Sequence, residues 1–89
     1  MASAAPFKHL RPGARCVVRV PFQDYDGATH PEGESWTFRT HSFLPYDDGL
    51  SLFVLRPDGS EAQIRLQWRP EAQAGIIDAL ERHIAPVEG

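Results

Sequence analysis

Four carboxylates, a histidine and two aromatic rings crowd into the stretch Asp24-Tyr25-Asp26-Gly27-Ala28-Thr29-His30-Pro31-Glu32-Gly33-Glu34-Ser35-Trp36. Asp24, Asp26, Glu32 and Glu34 supply hard oxygen donors and His30 an imidazole, a donor set that suits a divalent metal. The spacing is not that of a calcium hand, which needs a glycine at the sixth position and a bidentate acid at the twelfth. Counted from Asp24, Gly27 comes fourth and Ser35 twelfth. A looser manganese or iron site remains as an alternative. Turn chemistry accounts for the same residues with fewer demands: Asp24 and Asp26 accept backbone N–H groups in an Asx-type turn, and Gly27 and Gly33 supply positive φ. The aromatic members point elsewhere. Tyr25 and Trp36, with Pro45 and Tyr46 from a second connection, resemble the rings and flanking acids that line grooves for proline-rich or basic peptides. Against that, strand alternation assigns Trp36 to the core. The candidate binding set is therefore Asp24, Tyr25, Asp26, His30, Glu34, Trp36 and Tyr46.

Other chemistry is weaker. Asp24/Asp26 and Asp47/Asp48 are carboxylate pairs, and His30 and His41 are available bases, but general acid–base catalysis needs a buried, perturbed group in a cleft. Asp47-Asp48-Gly49 is explained by hairpin formation. No nucleophile elbow, zinc-protease helix or phosphate loop is present, and Cys16, flanked by valines, reads as a small core residue. A non-enzymatic protein is favoured over an enzyme, and no cofactor is expected. Arg15, Arg19, Arg39 and Arg65 would share one sheet face with Gln63 and Gln67, yet a formal charge of −3 and a pI of about 5.7 argue against nucleic acid.

These side chains must be positioned by a small framework. The chain has 89 residues, 42% hydrophobic and 24% charged, which is enough for one core. One cysteine leaves no internal disulfide, so packing alone holds the fold, as suits a reducing cytoplasm. The N-terminus lacks the basic and apolar runs of a signal peptide, and no segment approaches a membrane span. A single domain over 7–85 with flexible ends at 1–6 and 86–89 is expected. Phe7 and Leu10 are spaced to plug one end of the core. A first strand over Cys16–Phe22 presents Cys16, Val18, Val20 and Phe22 inward. A second over 34–40 presents Trp36 and Phe38. After Asp47-Asp48-Gly49, a third from Leu50 to Arg56 buries Leu50, Leu52 and Val54 on one face and Phe53 and Leu55 on the other. After Pro57-Asp58-Gly59-Ser60, a fourth from Ala62 to Trp68 turns Ala62, Ile64, Leu66 and Trp68 inward. One C-terminal helix, opened by Pro70 and ended by Pro86, carries the stripe Ile76, Ile77, Leu80 and Ile84. The predicted class is mainly β (α+β): a four-stranded antiparallel meander bent into an SH3-like barrel with one C-terminal helix.

The string Pro12-Gly13, Phe22-Gln23-Asp24-Tyr25-Asp26-Gly27, His30, Gly33-Glu34, Trp36, Phe38 and Phe43-Leu44-Pro45-Tyr46-Asp47-Asp48-Gly49-Leu50 resembles a group of small bacterial proteins that form a domain of unknown function. The resemblance runs from about Phe7 to Ile84. It implies a bacterial source and brings no activity, ligand or catalytic residue. Separately, the acidic-aromatic loop after strand one looks like the ligand loop of SH3 domains, although the alanine-leucine-tyrosine run of the signalling SH3 family is missing. The expectation is a cytoplasmic protein-interaction module that binds a protein or peptide through the acidic-aromatic loop and the Phe43–Gly49 corner. The alternative is a metal-binding or catalytic site at Asp24, Asp26, His30 and Glu34.

Overall fold

A computed structural model describes residues 6–87. The protein is mainly β. Strands β1 (Arg15–Val18), β2 (Phe22–Gln23), β3 (Thr29–His30), β4 (Ser35–Leu44), β5 (Gly49–Leu55) and β6 (Glu61–Gln67) precede two short helices, α1 (Ala74–Asp78) and α2 (Leu80–His83), and a last strand, β7 (Ile84–Pro86). Five strands form one sheet in the order β6-β5-β4-β1-β7, every neighbouring pair antiparallel, and β2 and β3 form a separate ribbon.

The turns follow from their sequences. Gly59 takes φ 89° in the β5–β6 turn, where Asp58 Oδ1 accepts the Ser60 N–H and hydroxyl at 2.9 and 2.6 Å. Asp48 takes φ 50° in the β4–β5 turn, a conformation that aspartate tolerates better than most side chains. The strands alternate as the sequence implies: Cys16, Val18, Trp36, Phe38, Leu50, Leu52, Val54, Ile64 and Leu66 are all buried. Leu10, Ile77, Leu80 and Ile84 close over them in one core, with Phe7 packed at its margin.

Three expectations are corrected. The first is the four-stranded barrel. The sheet has five strands and is not closed, because β6 and β7 are its edges. The expected first strand stops at Val18: the Arg19 and Val20 N–H groups turn away to the His83 carbonyl, at 2.7 and 3.4 Å. Val20, expected inside, is therefore exposed, and Phe22 reaches the core from the separate ribbon. The second is the reach of the second strand. It continues to Leu44 through a bulge at Arg39, since Phe38 pairs with Val54 and Thr40 with Phe53. The extra residue shifts the alternation, so that His41 and Phe43 fall on the same side as Leu52 and Leu50. The third is the single helix. Residues 69–73 form turns, Ala79 breaks the helix at φ −116° and ψ 35°, and Ile84 leaves it to pair with Val18. Segments of five and four residues are far too short to be stable alone. Burial of Ile77 and Leu80 holds them.

Of the expected flexible ends, residues 1–5 and 88–89 lie outside the described residues. Pro86 belongs to β7, and the Val87 N–H donates to the Arg15 carbonyl at 2.8 Å.

Candidate functional site

The acidic loop is the β2–β3 ribbon and its flanks. Phe22 pairs with His30 and Gln23 with Thr29. The connection is an Asx-type turn. Asp24 Oδ1 accepts the Ala28 N–H at 2.9 Å, the Asp24 N–H donates to the Ala28 carbonyl at 2.9 Å, and Gly27 (φ 88°) donates to the Asp24 carbonyl at 3.1 Å. A second tight turn, with Gly33 at φ 93°, leads into β4. Both glycines serve the role that the sequence assigns them.

This folding brings Asp24, His30, Glu34 and Trp36 into one chain of hydrogen bonds. His30 Nε2 lies 2.8 Å from Asp24 Oδ2, and Nδ1 lies 2.5 Å from Glu34 Oε2. The same Glu34 oxygen accepts the Trp36 indole N–H at 3.3 Å. The His30 ring stacks on Phe22 with centroids 4.8 Å apart. Asp24 is only 5% exposed. Ionised carboxylates only accept, so both contacts are satisfied together when the imidazole carries a proton on each nitrogen. The cluster is then an imidazolium clamped between two carboxylates, with charge-assisted bonds on both sides.

That arrangement decides what the cluster can do chemically. Both ring nitrogens of His30 are engaged within the protein, so neither is presented to a metal or a substrate. The carboxylates close on the imidazole and do not converge on a common point. Among the described residues no group of three or more histidine, cysteine or acidic side chains is gathered to hold a metal ion. The cluster ties the end of β2, the strand β3 and the start of β4 into one unit.

The remaining candidates are distributed on either side of that clasp. Trp36 is buried in the core and shows the loop only its indole nitrogen. Asp26 does not cap the turn as expected; it reaches out to Arg65 Nη1 at 3.3 Å. Tyr25 is 51% exposed, its ring 5.8 Å from the Arg65 guanidinium, and its N–H donates to the Arg65 carbonyl at 2.7 Å. Arg65, on the edge strand β6, is thus the residue that receives the loop, and sequence reasoning had placed it only on a basic face. Tyr46 is 99% exposed in the β4–β5 turn, beside Leu44, 57% exposed. Leu44 lies within the expected Phe43–Gly49 corner, and the bulge at Arg39 sets which face of β4 it takes.

Two clefts flank the loop. One, of about 180 Å³, is lined by Tyr25, Leu44, Asp47, Ser51 and Arg65. The other, of about 280 Å³, lies on the His30 side, between the loop and the β5–β6 hairpin. At the corner by the first cleft, Arg69 Nε donates to Asp48 Oδ2 at 2.9 Å. That bond, with the neighbouring negative charges, holds the guanidinium above its ordinary value. Burial pushes the Cys16 thiol up, the opposite of what a nucleophile needs.

Comparison with known proteins agrees with the resemblance carried by the loop and corner motifs. Residues 6–88 match a family model described as a domain of unknown function, DUF3601. Among solved structures, the chain is similar to an integron cassette protein from the mobile metagenome of Vibrio cholerae. The two are 35% identical, the TM-score is 0.86, and the match covers 89% of this chain and 87% of the other. No curated protein matches the chain.

Proposed function

The chain belongs to the DUF3601 family of domains of unknown function, and from that premise we propose that it is a non-enzymatic protein-interaction module. Its binding surface is the Tyr25 face. The observation that carries this reading is the meeting of two separate connections at one cleft: Tyr25 from the acidic loop and Leu44 and Asp47 from the β4–β5 corner. Tyr46 stands beside them in the same turn, and Phe43, Leu44, Tyr25 and Tyr46 are all exposed. Aromatic side chains cost little conformational entropy to order and supply large contact areas, which is why they anchor protein interfaces. Asp24, His30 and Glu34 support the surface without forming it, by fixing the loop from which Tyr25 projects.

A bacterial cytoplasmic setting belongs to the same reading. It is supported by the buried, unpaired Cys16, by a similar protein from Vibrio cholerae, and by the fact that no helix among the described residues is long and apolar enough to cross a membrane. The test is a comparative pull-down from bacterial lysate with the natural protein and the Tyr25→Ala/Tyr46→Ala double variant. Both positions are exposed, so the fold should survive. A partner captured by the natural protein and lost by the variant supports the Tyr25 face. Retention of every partner refutes it.

A further inference from the structure

The cleft on the His30 side has a different character. Its floor is apolar, from Trp36, Val54 and Ile64, while Asp26 and Glu34 stand at its wall. Beside it runs the outer edge of β6, whose backbone groups can be accounted for one by one. The Gln67 N–H is met by Gln73 Oε1 at 2.8 Å, and the Arg65 carbonyl by the Tyr25 N–H at 2.7 Å. Alternate residues of an antiparallel edge strand point their N–H and C=O groups the same way. Gln63 therefore presents its pair outward too, and among the described residues no hydrogen bond meets either. Among the described residues the edge is met at both Gln67 groups and at the Arg65 carbonyl, while the Arg65 N–H and both groups of Gln63, a residue that lines the cleft, are left open.

We propose that this cleft receives a lysine or arginine side chain carried by an extended segment of a partner protein, which pairs with the open edge of β6 at Gln63. An extended segment on a sheet edge obtains its affinity from main-chain bonds and its specificity from pockets for alternate side chains. The pocket here selects a cation on an aliphatic stem. Trp36, Val54 and Ile64 cover the stem. Among the described residues Glu34 bonds His30 and Trp36 through Oε2 alone, and Asp26 bonds Arg65 through Oδ1 alone, so each keeps one oxygen for an incoming charge. A carboxylate would face those same oxygens. Arg56, also at the cleft, is drawn to the β5–β6 turn: its Nη1 lies 3.5 Å from Ser60 Oγ, and its charge acts on Asp58. At about 280 Å³ the cleft falls just below the roughly 300–1,000 Å³ of small-molecule sites, which fits one side chain better than a cofactor. This surface is separate from the Tyr25 face and stands or falls without it.

The experiment is an NMR titration of the full chain with two blocked tripeptides, threonine-lysine-threonine and threonine-glutamate-threonine. The lysine peptide should move the Gln63 and Ile64 amides and the Trp36 indole N–H, and the glutamate peptide should bind at least about tenfold more weakly, a discrimination of about 1.4 kcal/mol. Gln63→Pro removes the edge donor at a position where an edge strand tolerates proline, and should abolish the response while the rest of the spectrum is kept. Asp26→Asn, at an exposed site, should weaken the lysine peptide several-fold. Equal binding of both peptides, no movement at Gln63 at about 10 mM peptide, or an undiminished response in Gln63→Pro would overturn the proposal. Shifts confined to Tyr25 and Leu44 would overturn it too, and would leave the Tyr25 face supported.

Discussion

Replacing His30 by alanine removes the centre of the clasp and leaves its periphery in place. Three losses follow. Asp24, 5% exposed, keeps the Ala28 N–H on Oδ1 but loses the partner on Oδ2. A hydrogen bond to a charged group contributes about 1.5–3 kcal/mol net, and stranding one member of a buried pair costs about 3–5 kcal/mol. Glu34 is more exposed and keeps Trp36, so its loss sits near the bottom of the first range. The stacking on Phe22 is lost as well, about 0.5–1.5 kcal/mol beyond area. These terms overlap, because Asp24 can rehydrate once the ring is gone, and a total of about 3 kcal/mol is expected. For a domain of this size that is a fall in Tm of roughly 12–24 °C. Urea unfolding should show a lower midpoint with an unchanged slope. The double-mutant cycle with Asp24→Asn isolates the pair: the coupling between His30→Ala and Asp24→Asn should exceed about 1 kcal/mol. If His30→Ala costs less than about 0.5 kcal/mol, the level of an ordinary surface change, the clasp does not hold the loop and the reasoning fails.

Other outcomes follow from single contacts. Gln73→Ala should cost about 1 kcal/mol and speed hydrogen exchange at the Gln67 amide, which loses its acceptor; unchanged exchange there would mean that the cap does not form in solution. Gly33→Ala meets no atom within 4 Å, so its cost of about 1 kcal/mol or more should come wholly from φ 93°, and a neutral result in urea unfolding would contradict that conformation. The Cys16 thiol is held above its ordinary value of 9.0 by burial and is lowered only partly by a backbone bond from Phe38. A raised value in the folded state contributes stability below the unfolded value and loses it as pH rises through the folded one. Alkaline unfolding above about pH 9 should therefore be blunted in Cys16→Val, and native Cys16 should resist alkylation at pH 8. Asp58 is held below its ordinary value of 3.8, first by the Ser60 hydroxyl, so its contribution is present above that value and lost as pH falls through the lower folded one. Ser60→Ala should raise the carboxyl titration followed by NMR.

The local grammar of the sequence carried much of the fold. Leu50, Leu52, Val54, Ile64 and Leu66 alternate without interruption, and all are buried on one side of the sheet. Gly27, Gly33 and Gly59 sit at positive φ in the turns that their neighbours announce. What escaped depends on contacts between distant segments. Nothing local says that Arg19 and Val20 will turn toward His83, sixty-odd residues on, rather than extend β1. The bulge at Arg39 is a one-residue mismatch between β4 and β5, and neither strand records it alone. Of the helix stripe, Ile77, Leu80 and Ile84 are buried and Ile76 packs at the margin of the core, yet Ile84 satisfies its burial in a strand, because apolar periodicity over one turn does not distinguish the two.

The site divides along the same line. Turn chemistry predicted Asp24, Gly27 and Gly33, since those interactions span a few residues. His30 and Glu34 were visible as chemistry but not as a clasp. Their meeting depends on the ribbon register, which pairs His30 with Phe22 and so sets the imidazole beside residue 24. Once that register is known, the density of carboxylates has a structural account, and the unexplained residues are those that face away from the clasp. Tyr25 points to one side of β6 and Asp26 borders the other, both anchored on Arg65. The clasp therefore has two surfaces to hold, and the consequence is measurable: loosening it should disturb both clefts together. In His30→Ala, below its unfolding transition, the Tyr25 amide, bonded to the Arg65 carbonyl beside the first cleft, and the Trp36 indole N–H, bonded to Glu34 beside the second, should both gain exchange relative to the Leu52 amide in the centre of the sheet. Gain at one and not the other would mean that the loop is held by its local turn alone, and that the clasp stabilises the protein without organising its surface.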